Sequence, residues 1–253
     1  MNNKFKEIKR ISSYSKLPDT TLCSIVRDEK INPAGGIERF IHSHVPFVES
    51  AIIIDTGSVD GTREILEGLK KDYDNMKVID LEFEGYSSTR NKALSYVKTK
   101  NALILDADEL ITHKNPNNDW LIIQDFLLNH EAQAYEFFFE NIFPDKIEKN
   151  ENCGQPIRII NSSIKNPLKK VLWEKIDKNK IKDKKIIPVS IKHFLPSSSA
   201  LRLKLENWYM DNFYDSKYDF SDIERLESWK EAPSNFPDFY SWKKYNPKRD
   251  DYE

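Results

Sequence analysis

From Asn101 to Leu110 the apolar residues Ala102, Leu103, Ile104 and Leu105 run directly into Asp106, Ala107, Asp108 and Glu109. A short apolar run of this kind reads as a buried strand of an α/β sheet. Its carboxylates then stand at the carboxyl end, where open α/β sheets bind ligands. Side chains of an extended strand alternate with period two, so Asp106 and Asp108 are expected on one side of a backbone that stays extended. Two such oxygen donors suit a hard divalent cation, Mg²⁺ or Mn²⁺.

Ile52 to Thr62 has a similar form: three isoleucines, Asp55, then Thr56, Gly57, Ser58, Val59, Asp60, Gly61 and Thr62 ahead of a helix. As a plain strand-to-helix turn it predicts Ser58 or Asp60 as the N-cap. As a binding loop it predicts that Asp55 accepts a hydrogen bond from a ligand N–H, such as a pyrimidine ring edge. Cys23 to Val26 runs into Arg27, Asp28 and Glu29, which alone is a solvated loop. Acids at three strand ends repel one another in a shared crevice, and a cation with a polar ligand relieves that repulsion.

Ser87, Ser88, Thr89, Arg90 and Asn91 open another helix, with Ser87 or Ser88 as the expected N-cap. An arginine in a first turn opposes the helix dipole unless an anion such as phosphate lies between them. The plain alternative is an exposed surface arginine. Val189, Ile191 and His193 share a strand face, which reads either as a core-edge histidine or as a metal or phosphate contact. His42 and His44 do not share a helix face and receive no metal role.

The elements that must position these groups follow from periodicity. Strands are predicted at Leu22–Val26, Ala51–Asp55, Lys77–Leu81, Ala102–Asp106 and Ala134–Glu140, with helices between them at 36–43, 61–72, 88–99 and 120–130. This alternation is that of a mostly parallel sheet flanked by helices. Further strands are expected at Ile157–Ile160 and Ile186–Phe194, separated by a lysine-rich stretch from Lys165 to Lys185 that reads as a solvated mobile loop. If functional, that loop would attract an anionic acceptor. An amphipathic helix is expected over Ser199–Tyr214, followed by an aromatic tail wrapped on the body.

At 253 residues the chain fits one α/β domain with an appendage. A net charge of −2 supplies no global field toward nucleic acid or an anionic membrane. Cys23 and Cys153 form no metal-spaced pair, which argues for a reducing compartment. The lysine-rich start lacks the apolar core of a signal peptide, and no segment has the length of a membrane span. The expectation is a soluble cytoplasmic protein, with peripheral attachment at the inner face of the membrane left open.

The ordered motifs VRDE, IIIDTGSVDGT, STRNKAL and LILDADEL resemble family 2 glycosyltransferases of the GT-A fold, particularly the subgroup of lipopolysaccharide-core glucosyltransferases. The similarity is strong from Leu22 to about Ile111 and weaker from Ile157 to Trp208, where Arg158, Glu174 and His193 fall in matching order. The resemblance implies a GT-A domain over 18–195 and a helical C-terminal extension over 196–253. It implies that Asp55 meets the nucleotide base, Arg90 the donor phosphates, Asp106 the ribose or metal, and Asp108 the metal. Arg27, Glu29 and Ser58 join the expected nucleotide-sugar set, and His193 the metal set.

Thr56 stands where the commoner family pattern has a second aspartate, a change that the named subgroup shares. The activity implied is inverting transfer from a nucleotide sugar, expected to be a UDP-sugar, to a glycan or lipid-linked acceptor in surface polysaccharide or lipopolysaccharide synthesis. It would use Mn²⁺ or Mg²⁺, with Glu174 as the base that deprotonates the acceptor. Two rivals stay open: a Mg²⁺-dependent phosphotransferase with Asp106 as nucleophile, and a non-catalytic glycan-binding relative.

Overall fold

The computed structural model describes residues 15–30, 32, 34–112, 118–142, 147–150, 156–169 and 175–194. The expected alternation is present as β1 (Thr20–Val26), α1 (Ile37–His44), β2 (Ser50–Asp55), α2 (Thr62–Leu69), β3 (Met76–Asp80), α3 (Tyr86–Ser95) and β4 (Asn101–Ile104). There follow β5 (Glu109–Leu110), α4 (Asp119–Asn129), β6 (Ala134–Ile142), β7 (Ile147–Asn150), β8 (Ile157–Asn161), β9 (Leu168–Lys169), β10 (Lys175–Ile176) and β11 (Lys184–Phe194).

The main sheet has the order β3-β2-β1-β4-β8-β6-β11-β5, with β7 added to β6. Strands β3, β2, β1 and β4 are parallel. β8 lies antiparallel between β4 and β6, β11 is parallel to β6, and β5 is antiparallel to β11. This is the mixed, mostly parallel GT-A sheet. The order reverses at β1, so the crevice beyond the carboxyl ends of β1 and β4 is where such a sheet takes a ligand.

Both faces of the parallel half are covered, which is why its strands read as unbroken apolar runs. Leu22, Ala51 and Ile53 point into a core shared with Phe40 of α1, Leu66 of α2 and Trp120 of α4. Cys23, Ile52 and Ile54 point the other way, toward Ala93 of α3. Trp120 is fully buried and stacks on Phe47 with ring centroids 4.5 Å apart, anchoring α4 to the sheet. Gly36 precedes α1 with φ 92°, and a Cβ there would lie 2.5 Å from the Lys30 carbonyl oxygen. Only glycine lets α1 begin that close to the β1 loop.

The structure corrects the chain path after β4. The strand ends at Ile104, and the Glu109 N–H donates to the Asp106 carbonyl at 3.0 Å, closing a turn over Asp106–Glu109. β5 runs opposite to β4, so the chain must reverse between them, and period-two alternation does not extend to Asp108. The lysine-rich stretch also departs from the expectation of a solvated loop. β9 and β10 form a two-stranded sheet clipped to α3, because the Asn91 side chain exchanges hydrogen bonds with the Leu168 backbone at 2.9 and 3.1 Å. Lys169 pairs with Asp177 at 2.6 Å, and Lys180 Nζ donates to the carbonyls of Lys165 and Asn166.

The expected helix over Ser199–Tyr214, the aromatic tail, the 196–253 extension, Cys153 and Glu174 lie outside the described residues. Among the described residues no helix is long and apolar enough to cross a membrane.

Candidate functional site

The carboxyl edge of the sheet carries two clusters. The first joins the loops after β1 and β2. Asp55 is 2% exposed; its Oδ1 accepts from the backbone N–H groups of Gly57 and Ser58, both at 2.8 Å. Its Oδ2 is buried and has no hydrogen-bond partner among the described residues. An acceptor left in that state costs free energy unless a ligand donor meets it, which fits the expected contact with a ring N–H.

The partner loop is locked to this one. Arg27 Nη1 donates to the Thr56 carbonyl at 2.9 Å, and burial lowers the guanidinium pKa while Asp28 and Asp55 oppose the shift. Ser58 Oγ accepts from the Asp28 N–H at 3.0 Å, so Ser58 ties the two loops together and is not the helix cap. Gly61, with φ 100°, is the N-cap residue of α2, while Asp60 Oδ1 accepts from Thr62 N–H and Thr62 Oγ1. Glu29 is 9% exposed and its Oε2 accepts from Asn32 Nδ2, which also donates to the Ala107 carbonyl. Glu29 thus braces the loop through Asn32, a residue for which the sequence offered no motif.

The second cluster is built around the Asp106–Glu109 turn. Arg90 was expected in a first turn, but α3 begins at Tyr86 with Gly85 as N-cap residue in place of Ser87 or Ser88. This sets Arg90 in the second turn, 1% exposed, where its Nη2 is ion-paired with Asp106 Oδ1. Arg158 Nη2 lies 3.9 Å from Asp106 Oδ2, while the same guanidinium grips Glu109 through Nε (2.9 Å) and Nη2. Arg158 is the extra residue of a β-bulge, since β8 skips it between the pairs Ile159–Tyr135 and Ile157–Glu136. Bulges re-aim side chains in this way beside functional sites.

The charges of this turn are tuned by these neighbours. Burial pushes the Asp106 carboxyl up, but Arg90 and then Arg158 outweigh it and hold it below the ordinary value. Glu109 is 1% exposed, and burial raises its carboxyl to about 7, with Arg158 opposing and Asp106 assisting. Glu109 carried no role in the sequence reading. Nothing local marks it, because its partner is 49 positions away.

Asp108 and His193 meet because β5 pairs with β11, which places His193 opposite Glu109. His193 Nε2 is 4.0 Å from Asp108 Oδ2, and the Phe194 N–H donates to the Asp108 carbonyl at 2.9 Å. Burial, then Arg158, lowers the imidazole to about 4 against the pull of Asp106, so His193 is neutral near pH 7 with a lone pair to offer. The carboxylate suits Mn²⁺ or Mg²⁺, and the imidazole, a nitrogen donor, favours the transition metal Mn²⁺ over the harder Mg²⁺. Among the described residues no group of three His, Cys, Asp or Glu side chains is placed to hold a metal unaided. His42 bonds the Tyr73 hydroxyl, and His44 sits between the Phe40 carbonyl and the Ile111 N–H.

Residues 37–117 match the family model described as Glycosyl transferase family 2. No curated protein matches the sequence. Among solved structures, S. aureus TarS 1-349 in complex with UDP is similar at a TM-score of 0.52 and 12% identity, over 84% of this chain and 70% of that one. GalNAc-T7 with UDP, GalNAc and Mn²⁺ is similar at 0.51 and 13%, over 91% of this chain and 57% of that one. At such identities the likeness speaks for the fold. The family match spans Asp55, Ser58, Arg90, Asp106 and Asp108, so the stretch that carries most of both clusters is similar to glycosyl transferase family 2, and the solved structures share the GT-A fold around it.

Proposed function

We propose that the protein moves a sugar from a UDP-sugar to a glycan or lipid-linked acceptor, with inversion, using a divalent cation held by Asp108 and His193. The observation that carries this reading is the meeting of those two side chains at the carboxyl edge, from segments 85 positions apart in sequence. The Asp55 Oδ2 at the end of β2, buried and without a partner among the described residues, supports a pyrimidine base there. TarS and GalNAc-T7, which share the fold, were solved with UDP, and the second with Mn²⁺.

The side chains divide the work. Asp55 would hold the base edge through Oδ2, its Oδ1 being already committed to the loop. Asp106 would face the ribose, its charge offset from behind by Arg90 and Arg158. This revises the expectation for Arg90, which serves first as counter-ion to Asp106 and would reach the donor phosphates only as part of that pair. The cation, when bound, offsets charge on the departing diphosphate. Glu174 is retained as the proposed base, and the lipopolysaccharide-core subgroup as the proposed pathway class.

A panel of nucleotide sugars, assayed for hydrolysis and transfer with and without Mn²⁺, tests the reading. Turnover of a UDP-sugar that needs Mn²⁺ and disappears in Asp108→Ala supports it. No turnover with any donor, alongside intact metal-dependent UDP binding, would point to the non-catalytic relative.

A further inference from the structure

A metal-ligating histidine must present one ring nitrogen and commit the other. His193 has two cross-strand neighbours, Asn141 of β6 on one side and Glu109 of β5 on the other. Its Nδ1–H donates to Asn141 Oδ1 at 3.0 Å, and Phe139 packs on the ring with centroids 5.3 Å apart. Resting on the cation reading above, we propose that Asn141 is the positioning residue of this site: it takes the Nδ1 proton and so turns the Nε2 lone pair toward Asp108. A hydrogen bond at the second nitrogen fixes both the tautomer and the ring orientation of such a histidine. An amide does this without placing a third carboxylate beside Asp108 and Glu109.

An irregularity in the sheet builds the pair. Lys184 to Ile187 lie opposite Ala134 to Phe137, and pairing resumes with Ser190 opposite Phe138, leaving Pro188 and Val189 outside the register. Pro188 has no N–H for a ladder, and such residues sit at bulges. Had the first register continued, His193 would face Phe143, which offers no side-chain acceptor. A shift of two keeps every side chain on its face and changes only its partner. The bulge therefore selects Asn141.

Imidazole ¹⁵N–¹H correlation NMR of the metal-free 253-residue chain reads the tautomer directly. The wild type is expected with the His193 proton on Nδ1. Asn141→Asp, which retains an acceptor, should keep it there; Asn141→Leu should move it to Nε2, the form that imidazole side chains favour in water. Mn²⁺ titrated in the presence of UDP and followed by EPR of the free ion should bind about 10–100-fold more weakly to Asn141→Leu and near wild-type strength to Asn141→Asp. A wild-type His193 protonated on Nε2 overturns the proposal, and that measurement needs no variant to fold. An Asn141→Leu chain that keeps the Nδ1 proton overturns it equally. A tautomer that moves while Mn²⁺ affinity does not supports the role of Asn141 and removes His193 from the cation site, so the two failures are distinguishable.

Discussion

The loop after β2 and the turn after β4 leave the sheet on either side of β1, yet they are held in different ways. In the first, Asp55 is fixed by backbone N–H groups two and three residues onward, and the loop after the adjacent strand β1 adds bonds from Arg27 and Asp28 to Thr56 and Ser58. In the second, Asp106, Asp108 and Glu109 are held by side chains from α3, β8 and β11. A site fixed by its own backbone tolerates change elsewhere in the sheet. One fixed by charges from distant strands depends on every register between them. Loss of a buried charge partner should therefore damage folding on the Asp106 side, whereas loss of the Asp55 carboxylate should act on ligand affinity.

The largest effect is expected from Arg158→Ala. Removing one partner of a buried pair leaves the other charge uncompensated, so urea unfolding at pH 8 should show a loss of about 3–5 kcal/mol. The loss should shrink at pH 5, where the freed Glu109 can be neutralised by protonation. Equal losses at both pH values would mean that Arg158 acts by packing on Phe139, whose centroid lies 5.0 Å away, rather than through Glu109.

Glu109 gives a second, smaller test. Its native pKa of about 7 lies above the ordinary carboxylate value, so the folded state holds more protons than the unfolded one between roughly pH 4.5 and 7. Stability from this group is present at low pH and declines as pH rises through that window, by up to about 1.4 kcal/mol per unit. Glu109→Gln lacks the titration. Wild-type stability relative to this variant should therefore fall with rising pH, and parallel profiles would contradict the assigned environment.

On the other side, Asp55→Asn turns a buried acceptor into a donor at Oδ2. Calorimetry should give UDP binding weaker by about 1.5–3 kcal/mol, roughly 10–100-fold, with a smaller change in stability. Unchanged affinity would remove Asp55 from the base site. Ser58→Ala should cost least, about 0.5–1.5 kcal/mol of stability, because a single hydrogen bond to the Asp28 N–H is lost.

The same contrast explains what was legible in the sequence. The place of Asp55 is readable because its strand and the turn that holds its side chain are contiguous, and the apolar runs mark the parallel half of the sheet within a few residues. The caps were misread because Gly61 and Gly85, which directly precede α2 and α3, displace the serines; a glycine immediately before a helical run was the available signal. Asp106 and Asp108 were placed on the right edge but given the wrong backbone, since the reversal into β5 is set by a partner strand about 80 residues onward. Arg158 was picked out only by order. Its bulge, like the Pro188–Val189 bulge that pairs His193 with Asn141, depends on strand registers that no local pattern encodes.

Asp108 and His193 are proposed to grip a cation together with the nucleotide diphosphate. Calorimetric titration of UDP into the chain, with and without Mn²⁺, is decisive when repeated on Asp108→Ala and His193→Ala. Tight binding is expected only with Mn²⁺ in the wild type, with loss of the Mn²⁺ enhancement in both variants. UDP binding that ignores Mn²⁺, or an enhancement that survives both substitutions, would contradict it.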